Sequence, residues 1–351
     1  MKTFEKNIRK VEPYVPGEQP QRKVIKLNTN ENPYPPAPGV AKALKGMETD
    51  RLRLYPDPAA TPLVEELARF YQVQPDQVFV GVGSDDVLSM CFLTFFNSKK
   101  PLLFPDVTYS FYKVWAKLYR IPYECQELDE DFHIVKEDYY KENGGVIFPN
   151  PNAPTAIYEE LDVVEDIIAH NQAVIVIVDE AYIDFAGRSA LELIDKYENL
   201  LVVQTFSKAR SMAGMRIGYA IGNPVLIQYL NDAKYSFNSY TMNQTSLACG
   251  VEAVKDVRYF EEGIQKIIRT REWAKEELEK LGFKCLESQA NFIFAMHPEY
   301  DAKEMFEALK ANDIYVRYWG SKRIKQYMRI TIGTREEMEA LFAFLRKYMN
   351  K

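Results

Sequence analysis

At 351 residues the chain is too long for one typical domain and long enough to bury a sizeable core. Its 47% hydrophobic and 27% charged content is that of an ordinary globular protein, and a net charge of −6 argues against nucleic acid as a partner. The four cysteines and three histidines are scattered without metal-ligand spacing, so neither a metal site nor a catalytic histidine is expected.

The first residues, Met1-Lys2-Thr3-Phe4-Glu5-Lys6, lack the apolar core of a secretory signal. No apolar run approaches the roughly 20 residues that cross a bilayer, so a cytoplasmic protein without a membrane partner is expected. The proline-rich stretch from Pro33 to Pro38 is extended and reads as an arm or a crossing between domains. From about Pro62, helical patterns alternate with short apolar strands at 78–80, 102–104, 146–148, 174–178, 201–203 and 217–220, with a helix at 161–169 among them. This alternation predicts an α/β architecture with a mostly parallel sheet. After about Gly250 the texture changes: a charged helix at 260–281, a strand at 291–294, a helix at 302–311 and strands near Tyr315 and Met328. A last helix starts near Thr334, where Thr334 and Glu337 fit a capping box. This second part reads as a smaller α+β unit.

Three segments carry chemistry. Gly81-Val82-Gly83-Ser84-Asp85-Asp86 leaves a strand and opens a helix near Ser84. Free N–H groups and the positive end of the helix suit a phosphate there, with the two acidic side chains turned outward. Taken alone, the segment is also an ordinary helix start. It lacks a third glycine at the right offset and a following strand-end acid, which disfavours a dinucleotide-binding oxidoreductase. Next, the β-branched run 173–178 ends in Asp179-Glu180-Ala181-Tyr182, which places a carboxylate where open α/β sheets bind ligands. Buried there, Asp179 needs a cationic or proton-donating partner: a helix cap, an arginine, or the protonated ring nitrogen of a cofactor. Finally, Thr205-Phe206-Ser207-Lys208-Ala209-Arg210 follows the apolar run 200–203, and Arg216 stands eight positions after Lys208. A lysine that forms a Schiff base needs such a place, rigid, partly desolvated and close to anion binders. An exposed strand-end lysine would explain Lys208 by itself; together with Asp179 the cofactor reading is favoured.

These segments recur with others in a fixed order: Leu27-Asn28-Thr29-Asn30-Glu31-Asn32-Pro33-Tyr34, Tyr55-Pro56-Asp57-Pro58, Asn150-Pro151-Asn152-Ala153-Pro154-Thr155 and Arg329-Ile330-Thr331-Ile332-Gly333-Thr334. From Leu27 to about Leu345 the chain resembles the histidinol-phosphate aminotransferases, pyridoxal-phosphate enzymes with the aspartate aminotransferase fold. The resemblance implies a large cofactor-binding α/β domain at 41–250, and an N-terminal arm at 1–40 packed on a small α+β domain at 251–351. It implies transfer of the amino group of L-histidinol phosphate to 2-oxoglutarate, giving imidazole acetol phosphate and L-glutamate in histidine biosynthesis.

The same resemblance implies roles for single residues. Lys208 forms the Schiff base with pyridoxal 5'-phosphate and then acts as general base and acid. Asp179 keeps the ring nitrogen protonated, and Tyr182 bonds the 3-oxygen. The N–H groups of Ser84 and Asp85, the Ser207 hydroxyl and Arg216 hold the phosphate, with help from Thr205. Tyr109 stacks on the ring, although the residues alone would allow Phe111 or Tyr112 equally. Tyr55 reaches the phosphate of the neighbouring subunit in a homodimer, which would leave each site incomplete alone. Arg329 and Arg317 take the substrate's anionic groups, with Arg323 a competitor for the second place, and Asn30 and Tyr34 complete the substrate site.

The chain departs from the pattern twice. Ala153 stands where an Asn contacts the 3-oxygen, and Asn152 or Asn150 replaces it only if the loop shifts. Tyr318 follows Arg317 where Pro is usual. The same scaffold also serves aromatic amino acid aminotransferases and threonine-phosphate decarboxylases. A non-catalytic regulatory domain is disfavoured, because the chain has no basic segment for a DNA-binding helix-turn-helix.

Overall fold

The computed structural model describes residues 3–349, so residues 1–2 and 350–351 of the expected small unit lie outside the described residues. In chain order the elements begin with β1 (Ile25–Lys26), α1 (Pro38–Lys45), α2 (Thr61–Tyr71), β2 (Val78–Gly81), α3 (Ser84–Phe95), β3 (Leu102–Pro105), α4 (Phe111–Tyr119) and β4 (Tyr123–Gln126). They continue with β5 (Gly145–Pro149), α5 (Leu161–His170), β6 (Val176–Asp179), β7 (Leu200–Thr205), β8 (Gly218–Gly222), α6 (Pro224–Phe237), α7 (Gln244–Lys255) and α8 (Val257–Lys280). The last are β9 (Lys284–Cys285), β10 (Phe292–Met296), α9 (Ala302–Ala311), β11 (Ile314–Tyr315), β12 (Arg317–Tyr318), β13 (Tyr327–Thr331) and α10 (Arg335–Met349).

Seven strands form one sheet in the order β2-β8-β7-β6-β5-β3-β4. β8 runs against β2 and β7, and every other pairing is parallel. The composition explains why. β5, β6 and β7 are fully buried, and apolar but for Asp179, Gln204 and Thr205 at their C-terminal ends, as strands covered by helices on both faces must be. Their side chains alternate between two cores. Val146, Val178 and Val202 pack with Leu63 of α2, Val164 of α5 and Ala253 of α7. Ile147, Ile177 and Leu201 pack with Leu88 of α3, Trp115 of α4 and Ile227 of α6.

Some expected boundaries move. β6 starts at Val176 rather than 174, because the N–H of Val174 turns back to the Asn171 carbonyl at 3.0 Å. β8 starts at Gly218, after Arg216 takes a left-handed φ of 53°. α8 starts at Val257, where the Asp256 carboxylate accepts the Tyr259 N–H at 3.2 Å. The edge strand β4 and the two-residue strands carry too few residues to show a period.

The C-terminal part forms an antiparallel sheet, β12-β13-β10-β9, while β1 pairs in parallel with β11. A separate apolar cluster joins Ile293 and Ile330 of this sheet to Ile267 of α8, Met305 of α9 and Phe342 of α10. The capping box at α10 is present: Thr334 N–H donates to Glu337 Oε2 at 2.8 Å, and Glu337 N–H donates to Thr334 Oγ1 at 3.3 Å.

The large sheet prepares the site. Gly81, Gly218 and Thr205 are in register across β2, β8 and β7, and Asp179 ends β6. The C-terminal ends of the parallel strands therefore deliver their loops to one edge, the usual place for a ligand in an open α/β sheet.

Candidate active site

At the end of β2 the chain turns through Gly83, whose φ is +85°. A Cβ there would stand 2.4 Å from Arg216 Nη2, and one on Gly218 would stand 2.2 Å from the Ser84 nitrogen. Only hydrogen fits at these two places, so the start of α3 lies directly on β8 with Arg216 beside it. The first-turn N–H groups of α3 have no intrahelical acceptor, and the helix end is positive. Ser207 Oγ accepts from Arg216 Nη1 at 3.5 Å and from Thr205 Oγ1 at 3.0 Å. N–H groups, a hydroxyl and a guanidinium thus stand together at the start of α3, the donor set that a phosphate needs.

Lys208 stands beside this cradle. Its Nζ donates to the Thr29 carbonyl at 3.2 Å and lies 5.8 Å from the centre of the Tyr182 ring. Asp179 is buried, and its Oδ2 accepts the Tyr112 hydroxyl at 2.8 Å. Burial pushes its carboxyl up to about 6, against the lowering effect of the Tyr112 bond. A carboxylate held there favours any positive group placed against it. Tyr182 Oη accepts from Asn30 Nδ2 at 2.8 Å, and Asn30 Oδ1 in turn accepts from Thr331 Oγ1 at 3.0 Å.

A cavity of about 280 Å³ opens on the other side of Tyr109, lined by Tyr14, Thr108, Ala153, Trp319 and Arg329 among others. Arg329 enters it from β13 between the rings of Trp319 and Phe292, 5.1 and 5.2 Å from its guanidinium carbon. Its Nη2 donates to the Asn28 carbonyl at 2.9 Å, while its Nε is buried without a hydrogen-bond partner among the described residues. Burial, with Arg317 nearby, lowers its pKa. A planar donor fork left partly unsatisfied at a cavity wall suits a carboxylate or a phosphate.

Known proteins of similar sequence identify the family. The family described as aminotransferase class I and II matches residues 22–345. A histidinol-phosphate aminotransferase of Clostridium botulinum strain Langeland is 50% identical over 353 residues, covering 100% of both chains. One from Lactococcus lactis subsp. cremoris is 48% identical, covering 99% of this chain and 98% of its own.

The chain belongs to the class I and II aminotransferases.

Solved structures share this aminotransferase's fold. The histidinol-phosphate aminotransferase of Sinorhizobium meliloti in complex with pyridoxal-5'-phosphate superposes with a TM-score of 0.84 at 23% identity, covering 93% of this chain and 92% of that one. The enzyme from Clostridium acetobutylicum gives 0.85 at 22% identity, covering 92% and 98%.

Several side chains lie elsewhere than the sequence suggested. Asp85 does not turn outward: its carboxylate meets Arg216 Nη2 at 3.3 Å and accepts the Tyr109 hydroxyl at 2.7 Å, because a guanidinium is the nearest charge to that helix start. Asn152 has its amide spent within the loop, donating to the Val107 carbonyl and Thr155 Oγ1, both at 2.9 Å. Asn150 is paired in both directions with the Glu159 backbone. Neither replaces the Asn missing at Ala153. Arg317, cross-strand partner of Arg329, turns to the N-terminal arm and donates to the Val15 carbonyl at 3.1 Å. Arg323 is satisfied by Asp106 Oδ2 at 2.8 Å and by the carbonyls of Leu128 and Asp129.

Asn30 is buried behind Tyr182 and orients it rather than facing the cavity. Tyr34 faces Lys266, whose Nζ lies 5.5 Å from its ring, and does not line the cavity that Arg329 enters. Tyr55 is 80% exposed and stacks on Tyr240 at 4.6 Å, so within one chain it does not reach Lys208. Two contributors were missed. Tyr112 lies beneath Asp179, three residues after the tyrosine chosen for stacking. Asn32 Nδ2 fixes the lysine's own backbone, donating to the carbonyls of Lys208 at 3.1 Å and Ala209 at 3.2 Å. Its place in Asn30-Glu31-Asn32 was the available signal.

Proposed function

We propose that this aminotransferase moves the amino group of L-histidinol phosphate to 2-oxoglutarate, giving imidazole acetol phosphate and L-glutamate, with pyridoxal 5'-phosphate as cofactor. The observation that carries the reading is Arg329, partly desolvated and short of hydrogen-bond partners at the wall of the cavity beside Tyr109. One such fork can take the phosphate of one substrate and the carboxylate of the other in turn. The names of the full-length relatives near 50% identity support this substrate over an aromatic amino acid or threonine phosphate.

The residues fit the cofactor. The Gly83–Ser84–Asp85 turn with Ser207, Thr205 and Arg216 would hold its phosphate, and a Cβ at Gly83 or Gly218 would close that cradle. Asp179 would face its ring nitrogen, Tyr182 its 3-oxygen and Tyr109 its ring. When bound, pyridoxal phosphate supplies an aldehyde for an amine and an electron-withdrawing ring for the adjacent negative charge. The chain supplies the rest. Nζ of Lys208 takes the proton from the amine-bearing carbon of the substrate and holds it for return. Asp179 keeps a proton on the ring nitrogen, Asn30 fixes the Tyr182 hydroxyl, and Arg329 fixes the substrate's anionic end.

We further propose a homodimer in which Tyr55 completes the partner's phosphate site. Leu52, Leu54, Phe237 and Tyr240 are exposed as Tyr55 is, which supports an apolar interface there. Residues 41–250 would form the large domain, and 1–40 with 251–351 the arm and small domain. Among the described residues no helix is long and apolar enough to cross a membrane, and a cytoplasmic location suits a biosynthetic enzyme.

Single-turnover absorbance tests the assignment. Histidinol phosphate and glutamate should each deplete the bound cofactor's band rapidly, and phenylalanine and threonine phosphate slowly. A band unchanged by histidinol phosphate but lost with phenylalanine would make the protein an aromatic aminotransferase.

A further inference from the structure

Lysine is almost never fully buried without a partner. Lys234 of α6 is 3% exposed, and its Nζ donates to the Pro58 carbonyl at 2.6 Å beside the rings of Phe79 and Tyr235. Burial lowers its pKa, and Asp57 and Asp86 oppose that shift. What Lys234 holds is the segment that displays Tyr55. On the far side of Tyr55, Gln244 at the start of α7 donates through Nε2 to the Leu54 carbonyl at 2.9 Å and to the Arg51 carbonyl at 3.0 Å. Between these tethers the Asp57 carboxylate accepts the N–H of Ala59 at 2.9 Å and of Thr61, the first residue of α2, at 2.8 Å. A tyrosine that is 80% exposed is thereby carried on a backbone fixed at both flanks.

We infer that Lys234 and Gln244 are positioning residues: they clamp residues 54–58 on either side of Tyr55, so that its hydroxyl is presented at a set place to the cofactor phosphate bound by a second copy of the chain. The inference rests on the reading of Tyr55 given above. A tyrosine on a loose loop would lose more freedom on meeting a phosphate, and the clamp removes that loss in advance. Neither clamp residue touches the ligand.

The test titrates cofactor-free protein with pyridoxal phosphate and, separately, with pyridoxal, which lacks the phosphate, following protein fluorescence. Lys234→Met and Gln244→Leu should each weaken pyridoxal phosphate about tenfold, equivalent to about 1.4 kcal/mol, and pyridoxal less than about twofold. Tyr55→Phe should do the same, and combining it with either variant should add nothing, because all three act through one hydroxyl. Equal losses for both ligands would mean a merely structural role and overturn the proposal. So would unchanged affinity in the clamp variants while Tyr55→Phe is weakened. If Tyr55→Phe keeps full selectivity for the phosphate, the Tyr55 reading itself falls, and the clamp with it. Gln244 is only partly buried, so its variant keeps the test available should Lys234→Met not fold.

Discussion

Asp179→Asn should make the cofactor-free protein more stable and the enzyme nearly inactive. Burial raises the Asp179 carboxyl from 3.8 to about 6. The fold therefore holds that proton more tightly than the unfolded chain does. The ionised form costs the fold nothing below pH 3.8, increasingly more as pH rises towards 6, and about 3 kcal/mol beyond it, at 1.36 kcal/mol per pH unit. Asparagine has nearly the same shape, keeps an oxygen to accept the Tyr112 hydroxyl and carries no charge; the acceptor it loses, which takes the Ala181 N–H at 3.3 Å, costs about 1 kcal/mol at every pH. Urea unfolding of cofactor-free parent and variant should therefore show an advantage for the variant that is larger at pH 8 than at pH 5 by about 1.4 kcal/mol. Glu180 and Asp184, also raised by burial, are present in both proteins and cancel from the difference. Turnover should fall at least about 10²-fold, the scale of losing one preorganised electrostatic partner. A parent that is more stable than the variant at pH 8, with a gap independent of pH, would refute the reasoning; so would turnover within tenfold of the parent.

Lys208→Ala should abolish transamination with unchanged far-ultraviolet circular dichroism, and substantial residual turnover would remove Lys208 from the mechanism. Arg329→Lys keeps the charge but loses the planar fork, so KM for both histidinol phosphate and glutamate should rise by roughly 10- to 100-fold; steady-state kinetics on each half-reaction decide it. Gly83→Ala forces a side chain into a positive-φ extended backbone and against Arg216, costing roughly 1–3 kcal/mol in strain alone and weakening pyridoxal phosphate more than pyridoxal in equilibrium titrations. Thr334→Ala removes the α10 cap, and should lower unfolding stability by about 1 kcal/mol while leaving kcat unchanged.

How much was legible in the sequence depended on the range of each interaction. Asp179, Thr205 and Ser207 could be placed together because strand ends in an open sheet share an edge, and burial of the strands is written in their β-branched runs. The Thr334–Glu337 cap was readable because both partners lie within one turn. The partners of side chains were not. Whether Arg317 or Arg323 meets the substrate depends on the arm at Val15 and on Asp106, each about 200 or more positions away in the chain. Asn30 was assigned to the substrate, yet Tyr182, 152 residues further on, takes its amide. Asp85 was expected to face outward because first-turn acids usually do; Arg216 overrides that preference.

The pairing of β1 with β11 sets a timetable for synthesis. Ile25 meets Ile314, 289 positions later (314 minus 25). At about 5–20 residues per second, the emerging N-terminal segment waits roughly 15–60 s for its partner strand. Thr29 and Asn30, which hold Lys208 and Tyr182, lie just beyond that strand. A ribosome-bound chain can therefore complete its large sheet and expose the lysine well before the residues that restrain it arrive in place. Such nascent chains should react with free aldehydes less selectively than the released protein does.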